Sequence, residues 1–553
     1  MLRFMNREVL PVFAAVVVLA FSAFWMACGS SGGDSGGGGI NPPAPPPLPT
    51  SPLGWTELTP SADTLTIYVS SSTGNNTNDG LSPATPKATI NAGKALVRDG
   101  MPDWLLLKAG DTWTGQGLGD WTKSGRSASE PVVIGSYGTG ARPLIRTGTN
   151  DGVSMFDPVS HVVIVGLHFI AHTYDGSQDT CGMRLLGTLD DILVEDCFVQ
   201  GYSDNIIVIA VNGAGSLTNF RLRRCVIADS YSDAAHSQGI YTEGVDGLLI
   251  EECVFDHNGW KEGAGGSPAT IFNHNTYINA TSNVVLRGNL FLRASSIGNK
   301  FNADNSGDSQ NTLVENNFYI EGEVAISAGG NTNDALRFVD FTIRNNVMMH
   351  IGRTQPTNRD LAWYLDVQDW DGGSIEDNLF LHQPDVSNSF SINLAGSTER
   401  QMTISGNLFY GVRGENLIFD VAGSETGILV QGNEFQDPVE GSHLVVHSGS
   451  FNPATYQGNS YFSSAAAGSW FGVNGNDRSF AQWVTASGET GATSGAVAYP
   501  DPSRDEVSYQ VSLGGTATFA AFIAEARLQS KANWRPAYMA DGINDYIRAG
   551  FGR

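Results

Sequence analysis

The amino-acid sequence predicts an all-β solenoid, a single-stranded right-handed parallel β-helix of about ten or more coils with small helical caps. Three observations predict this fold. A short segment recurs at regular spacing, each copy is accompanied by a second apolar stretch, and one position of the repeat is almost always Asn or Cys.

The recurring segment contains an apolar residue, two variable residues and then Asn or Cys, as in "VEDCFVQG", "LRGNLFLRAS" and "ISGNLFYG". Neighbouring copies lie 26 to 36 residues apart. A period of 20 to 50 residues is typical of a solenoid or a repeat array. The aligned copies place these residues at the fixed position: Leu167, Cys197, Cys225, Cys253, Asn289, Asn317, Asn346, Asn378, Asn407 and Asn433.

The second apolar stretch, such as "NIIVIAV", "GIYTEG" or "LIFDVAG", predicts at least two short strands in each coil, joined by Gly/Asn/Asp turns. A leucine-rich repeat is the structural alternative, because "VVLRGNLF" also fits its L-x-x-N-x-L core. The upstream leucines of that motif are missing. Strands rich in Val, Ile and Phe, with no helical period between them, favour the parallel β-helix.

The fixed Asn predicts an internal ladder of side-chain amides, in which Cys replaces Asn as a small buried residue. Cys197, Cys225 and Cys253 are therefore expected to stack in the core at about 4.8 Å, one strand spacing, as free thiols. A redox role is the weaker interpretation. The spacing of the four cysteines after residue 30, which include Cys181, is not that of a CxxC metal site.

The N-terminus is typical of a targeting segment, because Arg3 and Arg7 precede the apolar run "VLPVFAAVVVLAFSAFWMA", which ends at Cys28. Residues 1–28 resemble a bacterial lipoprotein signal peptide, which implies acylation of Cys28 and anchoring in the outer membrane or at the cell surface. An uncleaved anchor helix is the alternative. Residues 29–60 are Gly/Ser-rich and then Pro-rich, which predicts a flexible and then extended linker.

The repeat assigns the β-helix to residues 61–460. Beyond it, "TATFAAFIAEARLQS" and "PAYMADGINDYIRAGF" have apolar residues at helical spacing. Residues 461–553 are therefore predicted to form a helical region that caps the open C-terminal end, where unpaired strand edges would otherwise be exposed.

Composition excludes one class of partner. Asp and Glu outnumber Lys and Arg 56 to 31, and the formal net charge of −25 repels nucleic acid. The same charge repels acidic polysaccharides unless a bound cation or a local basic cluster offsets it. We expect a monomer whose only membrane contact is the lipid anchor.

The whole pattern resembles the right-handed parallel β-helix proteins that include pectate lyases, chondroitinase B-type lyases and alginate lyases. The opening "IYVSSSTGNNTNDGLSPATPKATINAGKAL", followed by "DWLLLKAGDTW", is similar to the N-terminal entry of many bacterial members, where a short helix caps the first coil. The resemblance covers roughly residues 64–460. It implies this fold, and it leaves lyases, hydrolases, epimerases and adhesins open.

The candidate site lies where the regular spacing of the repeat is interrupted. The longest spacing, 36 residues, separates Cys253 from Asn289 and contains the insertion "DHNGWKEGAGGSPATIFNHN". Insertions in repeat proteins usually lie on the binding face. In the two preceding coils, "GYSDN" and "SYSDA" predict that Asp204 stacks on Asp233 and Tyr202 on Tyr231. The adjoining turns add these ionisable residues: His236, Glu243, His257, His274, Arg293 and Lys300.

A lyase that acts on a uronate needs a group that neutralises the carboxylate, a base and an acid. Arg293, or a Ca²⁺ ion held by three predicted ligands, can neutralise the carboxylate. Lys300 or a histidine (His257, His274 or His236) can act as the base, and Tyr241 or a second histidine as the acid. The predicted Ca²⁺ ligands are Asp204, Asp233 and Glu243, and the predicted sugar-stacking residues are Tyr202, Tyr231 and Trp260.

The resemblance to chondroitinase B-type lyases also implies a catalytic role for Lys300, which precedes a comparable strand and turn. The alternatives are purely structural roles, in which the stacked Asp residues only terminate turns and the single histidines stabilise the fold. We therefore expect an exported lyase that cleaves an acidic polysaccharide by β-elimination. A glycoside hydrolase that uses Asp204 and Asp233 is one alternative. A non-catalytic polysaccharide-binding lipoprotein is the other.

Overall fold

The computed structural model describes residues 49–210, 216–263, 266–303, 307–329, 337–394, 399–420 and 425–553. The predicted signal peptide, Cys28 and most of the predicted linker lie outside these residues. The described chain forms three sheets of 14 strands each, in a parallel β-solenoid of about 13 coils. This confirms the predicted all-β solenoid, with three strands in each coil. No helix among the described residues is long and apolar enough to cross a membrane.

The first sheet contains strands of up to seven residues. All of its strand pairs are parallel, and in sheet order the strands are Thr66–Val69, Trp104–Lys108, Val132–Tyr137, Val159–Val165, Leu189–Glu195, Leu217–Arg223, Val245–Glu251, Ser282–Arg287, Ser309–Glu315, Phe338–Arg344, Trp370–Glu376, Arg400–Ser405, Ile428–Gln431 and Ala454–Gln457.

The second sheet follows the first in each coil, and most of its strands have only three residues. These strands are Thr112–Thr114, Leu144–Arg146, His168–Ile170, Phe198–Gln200, Val226–Ala228, Val254–Asp256, Leu290–Leu292, Phe318–Ile320, Val347–Met349, Leu379–Leu381, Leu408–Tyr410, Glu434–Asp437, Ser460–Ser463 and Thr493–Ser494.

The third sheet closes each coil. Its strands are Gly119–Asp120, Val153–Met155, Cys181–Leu186, Asp204–Ile209, Gln238–Glu243, His274–Asn279, Ile297–Asn302, Val324–Ala328, Leu361–Val367, Asn388–Leu394, Glu415–Asp420, Val445–Ser448, Phe471–Val473 and Asn476–Arg478. The last of these strands pairs antiparallel to its neighbour.

The predicted amide ladder lies at the turn between the first and second sheets. The side-chain amide of Asn289 donates to Asn317 Oδ1 at 2.9 Å, and the same contact repeats at 3.0 Å from coil to coil as far as Asn459. Asn459 donates to the Glu489 carboxylate at 2.8 Å, which ends the ladder. Each amide thereby satisfies a buried polar group of the neighbouring coil.

The cysteines continue this row toward the N-terminus. The backbone N–H of Cys197 lies 3.3 Å from Cys225 Sγ, and that of Cys225 lies 3.4 Å from Cys253 Sγ. All three residues, together with Cys181, are buried free thiols. The prediction of core packing without disulfides is confirmed.

Helix α1 (Ile90–Lys94) packs against the first two strands of the first sheet, where the resemblance implied a short capping helix. Helix α2 (Phe480–Ser487) covers the C-terminal end, where Trp483 stacks on Phe471 with ring centroids 4.8 Å apart. The Trp483 indole also donates to Glu489 at 2.9 Å.

The sequence predicted that the later helices also cap the C-terminal end, and this part of the prediction is wrong. These helices are α3 (Glu506–Ser512), α4 (Phe519–Arg527) and α5 (Ala540–Gly550). Together with two 3₁₀ turns, Lys531–Asn533 and Pro536–Tyr538, they pack along the outer face of the second sheet. Strands such as "FYI" and "VMM" are apolar on both faces, so their outer face needs a cover that the helices supply.

Candidate active site

The outer face of the third sheet changes character along the solenoid. One outward row starts with Asp120, Ser154 and Arg184 and later contains two apolar residues, Ile207 and Ile418. Between them the register places polar residues: Tyr241, Tyr277, Lys300, Ser327, Asp366 and Asn393. Ile207 and Ile418 bound this stretch, and within it two phenols, a lysine and a carboxylate lie on neighbouring strands.

We call this stretch the polar window and define it by six residues: Tyr241, Glu243, Tyr277, Lys300, Ser327 and Asp366. Glu243 lies two residues beyond Tyr241 on the same strand and therefore on the same face. Adjacent members of the row are one strand spacing apart, about 4.8 Å. A chain molecule that lies along the solenoid axis would contact them in sequence.

Lys300 lies at the centre of the polar window, partly exposed. Its Nζ donates to Gly329 O at 2.5 Å and to Ser327 Oγ at 3.3 Å. Burial lowers the pKa of Lys300 to about 8, and the nearby Asp366 carboxylate opposes the shift. An amine with a pKa near neutrality is well suited to accept a proton from a substrate.

Two tyrosines precede Lys300 in the row. Tyr241 donates its hydroxyl proton to Glu243 Oε2 at 2.7 Å, and burial together with this carboxylate raises the pKa of Tyr241. Tyr277, whose ring lies 5.2 Å from that of Tyr241, is the immediate neighbour of Lys300. The phenol beside Lys300 is therefore that of Tyr277, one coil closer than the predicted acid Tyr241.

His274 begins the strand that carries Tyr277, and its imidazole is almost fully buried, with no hydrogen-bond partner for Nδ1 among the described residues. Burial, followed by the charges of Lys300, His236 and Arg359, holds the pKa of His274 well below its usual value. His274 is consequently neutral at pH 7. Arg359 lies at this edge of the sheet, where it pairs with the buried Glu323 carboxylate at 2.6 Å and donates to Ser296 Oγ at 2.6 Å.

The predicted stack of Asp204 on Asp233 is wrong. Asp204 Oδ1 accepts the backbone N–H of Gln238 at 2.8 Å, so Gln238 takes the adjoining place in the next coil. Asp233 lies in an exposed turn, where its N–H donates to Gly176 O. Burial raises the pKa of Asp204 to about 7, and the carboxylate of Asp179 adds to the shift.

The structure does not bring the three predicted Ca²⁺ ligands together. Glu243 ends the strand on which Gln238 adjoins Asp204, and five residues of extended chain span about 16 Å. Liganding oxygens lie 2.3–2.6 Å from Ca²⁺, so Asp204 and Glu243 cannot share one ion. In the described part of the chain, no group of three or more His, Cys, Asp or Glu side chains is placed to hold a metal ion.

Another part of the predicted site lies at the edge that follows the second sheet. Asp256 ends a strand of that sheet and is held bidentately by Arg293, at 2.7 and 2.8 Å, and by Arg527 of α4. His257 lies between Asp229, at 3.0 Å, and Glu262, at 2.8 Å. Arg293 and His257 are thus engaged in this network, separate from Lys300.

The remaining predicted residues differ in accessibility. Tyr202 is fully buried, and its hydroxyl lies 3.0 Å from Thr147 Oγ1, so its ring is not available to a sugar. Tyr231 does adjoin Tyr202 in the next coil, as predicted, and lines a cleft. His236 is exposed and stacks on Phe272 with ring centroids 4.8 Å apart.

Sequence reasoning missed Tyr277, Asp366, Asp179 and Arg359. The first two follow from the register once Lys300 is placed, because they occupy its row on the third sheet. Asp179 and Arg359 lie in turns whose lengths differ between coils. No spacing rule in the sequence identifies them.

No protein-family model matches the chain, and no curated protein matches it either. Several solved structures do match the chain. The GH136 lacto-N-biosidase from Eubacterium ramulus matches with 15% identity, covering 78% of this chain and 68% of its own, at a TM-score of 0.38. The PL6 family alginate lyase AlyGC matches with 11% identity over 70% of this chain and 52% of its own, at a TM-score of 0.40.

Pectate lyase Pel9A matches with 13% identity, covering 74% of this chain and 82% of its own, at a TM-score of 0.32. Pectate lyase and alginate lyase, the enzymes named in the resemblance drawn from the sequence, are therefore among the structures similar to this chain. Identities and TM-scores of this size say nothing about its reaction or substrate.

Proposed function

We propose that the protein is a polysaccharide lyase that cleaves a uronate-containing polymer by β-elimination in the polar window. The observation that carries this proposal is the state of Lys300. It is a partly exposed lysine with a pKa lowered to about 8, at the centre of a polar stretch bounded by Ile207 and Ile418. The reaction needs a base with a pKa near neutrality, whereas an ordinary surface lysine has a pKa of about 10.4.

In this reaction the neutral amine of Lys300 takes the proton α to the uronate carboxylate. The carbon–oxygen bond to the leaving sugar breaks, a carbon–carbon double bond forms, and Tyr277 gives its phenolic proton to the leaving oxygen. Tyr277 is the neighbour of Lys300 in the row, so both groups can reach adjacent atoms of one sugar. Arg359 lies at this edge but is paired with the Glu323 carboxylate at 2.6 Å, so it does not offset the overall charge of −25.

Cleavage is measured as the ultraviolet absorbance of new unsaturated chain ends, with alginate, pectate and glycosaminoglycans as substrates. The assay is run with Ca²⁺ and with a chelator, because a cation can neutralise the uronate carboxylate. We expect Lys300→Met to abolish the signal. Lys108→Met is the matched control, because Lys108 ends a strand of an early coil, far along the chain from Lys300, and within the described structure its Nζ makes only a long contact, 3.5 Å, with Ser72 Oγ.

An absorbance signal that survives in Lys300→Met would refute the assignment of the base. The absence of any signal from the folded wild-type protein, on all of these polymers and in both cation conditions, would refute the lyase for those substrates.

A glycoside hydrolase is the second candidate, and Asp204 favours it. Its pKa of about 7 keeps part of this carboxyl protonated at neutral pH, as a general acid requires, and the neighbouring Asp179 is exposed. The pair differs from the one predicted from the sequence, since Asp179 replaces Asp233. New reducing ends without ultraviolet absorbance, abolished by Asp204→Asn, would favour this candidate.

We also propose that the protein is exported and anchored as a monomer through acylated Cys28. This rests on the sequence of residues 1–28 alone. Cys28→Ser is expected to move the protein from the membrane fraction to the soluble fraction. Retention of the variant in the membrane fraction would instead favour an uncleaved anchor helix.

A further inference from the structure

Two clefts meet at Trp260, away from the polar window. One has a volume of about 670 Å³ and the other about 380 Å³. They share three lining residues, His257, Trp260 and Lys261, so Trp260 stands at the junction of a continuous trough. The trough follows the edge after the second sheet, whereas Lys300 lies on the third sheet.

The Trp260 ring is held in one orientation. Its Nε1 donates to Glu262 Oε1 at 3.1 Å, and its face packs against His257 with ring centroids 4.1 Å apart. His257 is itself fixed between Asp229 and Glu262. Residue 260 remains partly exposed. A preorganised aromatic ring that reaches solvent can stack on a sugar ring without a large loss of side-chain entropy.

The formal charges that line the larger cleft sum to zero, with Lys261 and Arg293 against Glu262 and Glu321. Arg293 binds Asp256, Glu262 binds His257, and Glu321 binds Arg353 at 2.9 Å. Lys261 Nζ lies 4.4 Å above the Tyr231 ring and 3.1 Å from its hydroxyl. The lining therefore has no net charge to attract an anionic sugar, while carboxylates, amides and hydroxyls can hydrogen-bond neutral hydroxyl groups.

Uncharged surfaces complete the trough. Pro268, Ala269 and Pro356 contribute apolar walls, and Ser267, Thr354, Gln355 and Asn358 contribute neutral polar groups. An aromatic platform with a few polar groups in a concave site is the usual arrangement for a small ligand. This lining complements the two faces of a sugar ring, one apolar and one rich in hydroxyls.

We infer that the Trp260 trough is a binding site for a neutral oligosaccharide, distinct from the polar window. The site would hold an uncharged part of a polysaccharide, such as a neutral branch or neutral backbone segment, while acidic residues lie elsewhere. It adds to the proposed function without depending on it, because binding at Trp260 needs neither Lys300 nor bond cleavage.

The test is isothermal titration calorimetry of the purified protein with cellohexaose, mannohexaose, xylohexaose and galactohexaose, and with hexagalacturonate as the anionic comparison. We expect saturable binding of at least one neutral hexasaccharide. Trp260→Ala should weaken it about tenfold or more, which corresponds to the loss of one sugar–aromatic stack. Trp260→Phe keeps a stacking face and should stay within about threefold of wild type.

Two controls separate this site from others. Phe156→Ala removes an aromatic side chain that is 51% exposed and lines neither cleft, and binding should not change. Lys300→Met should bind the neutral hexasaccharide like wild type even if all lyase activity is lost. An unchanged melting temperature shows that the Trp260 variants are folded.

Three results would overturn the inference. They are the absence of binding by all four neutral hexasaccharides, wild-type affinity in folded Trp260→Ala, and Trp260-dependent binding of hexagalacturonate alone.

Discussion

Ser327 connects Lys300 to Asp366 across three neighbouring strands of the third sheet. Lys300 Nζ lies 3.3 Å from Ser327 Oγ, and this hydroxyl lies 3.2 Å from Asp366 Oδ2. The hydroxyl thus stands between the two opposite charges, which interact at a distance. Burial raises the pKa of Asp366 and lowers that of Lys300, so both groups are moved toward neutral pH.

The rate of cleavage is predicted to rise with pH through about 8. Lys300 acts as a base only when it is neutral, and its pKa is about 8. We expect kcat/KM on the best polymer to increase about tenfold per pH unit below this value and to level off above it. Initial rates between pH 6 and pH 10 measure the profile. A flat profile would exclude Lys300 as the group that titrates.

Lys300→Met is predicted to raise the thermal stability at pH 7. The folded-state pKa of Lys300 lies below the ordinary lysine value of 10.5, so the folded protein carries a poorly solvated charge at neutral pH. As the pH rises from about 8 toward 10.5, the folded state loses this proton before the unfolded state does, and the penalty disappears. The gain in Tm over wild type should therefore shrink by pH 10.

Scanning calorimetry at pH 7 and pH 10 measures this gain. Lys108→Met serves as the control and should leave Tm nearly unchanged at both values. A lower Tm for Lys300→Met at pH 7 would contradict the prediction.

Asn346→Ala is predicted to destabilise the protein by about 2–4 kcal/mol. Asn346 Oδ1 accepts from the backbone and side chain of Asn317, at 2.9 and 3.0 Å, and its amide donates to Val314 O and to Asn378. Truncation leaves these buried groups without partners, each at a cost of about 1–3 kcal/mol. The loss is measured by denaturant or thermal unfolding.

Cys253→Asn is the matched change in the same row. A new amide at this position has Asn289 Oδ1 and Leu222 O within reach, because the Cys253 N–H already donates to the former and Sγ lies 3.5 Å from the latter. We expect a change of less than about 1 kcal/mol. An equally large loss in both variants would show that side-chain volume, and not hydrogen bonding, governs the row.

Arg527→Met is predicted to loosen the helices from the second sheet. Arg527 binds both oxygens of Asp229 at 2.8 Å, and it also contacts Asp256, whose side chain is fully buried. Because Arg527 and Asp229 are partly exposed, we expect a loss of about 1–3 kcal/mol at pH 7. Arg400→Met, which removes a surface pair with Asp371 3.9 Å long, should cost less than about 1 kcal/mol.

The effect of Arg527→Met should depend on pH. His257 and Arg527 lower the pKa of Asp229 to about 2. This stabilisation is complete above the unfolded-state pKa, about 4, and is lost as the pH falls toward 2. The difference in Tm between wild type and variant should consequently narrow between pH 5 and pH 2. A constant difference would mean that Arg527 acts through packing alone.

The ladder could be predicted from the sequence because it repeats. Asn289 and its successors follow the end of each first-sheet strand, so one alignment places them all. The second sheet was harder to recognise, because strands of three residues such as "LFL" give too short a pattern for periodicity. The packing of α4 and α5 on the outer face of this sheet could not be predicted either, because that prediction depends on recognising these strands as buried on both faces.

The error at Asp204 and Asp233 has a specific physical cause. Cys197, Cys225 and Cys253 are each 28 residues apart, which suggests equal coils. The turn that leads to Gln238 is longer than the one that leads to Asp204, however, and the turn from Glu243 to Val245 is correspondingly shorter than that from Ile209 to Leu217. Two opposite changes of length cancel in the total, so the spacing of the cysteines conceals the shift.

Glu489 gives the amide ladder a direction. Every asparagine side chain accepts hydrogen bonds from the preceding coil and donates one to the next coil. A carboxylate has no N–H and cannot donate. An extra coil carrying an asparagine can be inserted anywhere between Asn289 and Asn459 without leaving a donor or an acceptor unmatched. A coil added beyond Glu489 would meet only acceptors, so a protein of this design can lengthen by internal duplication but not by growth at its C-terminal end.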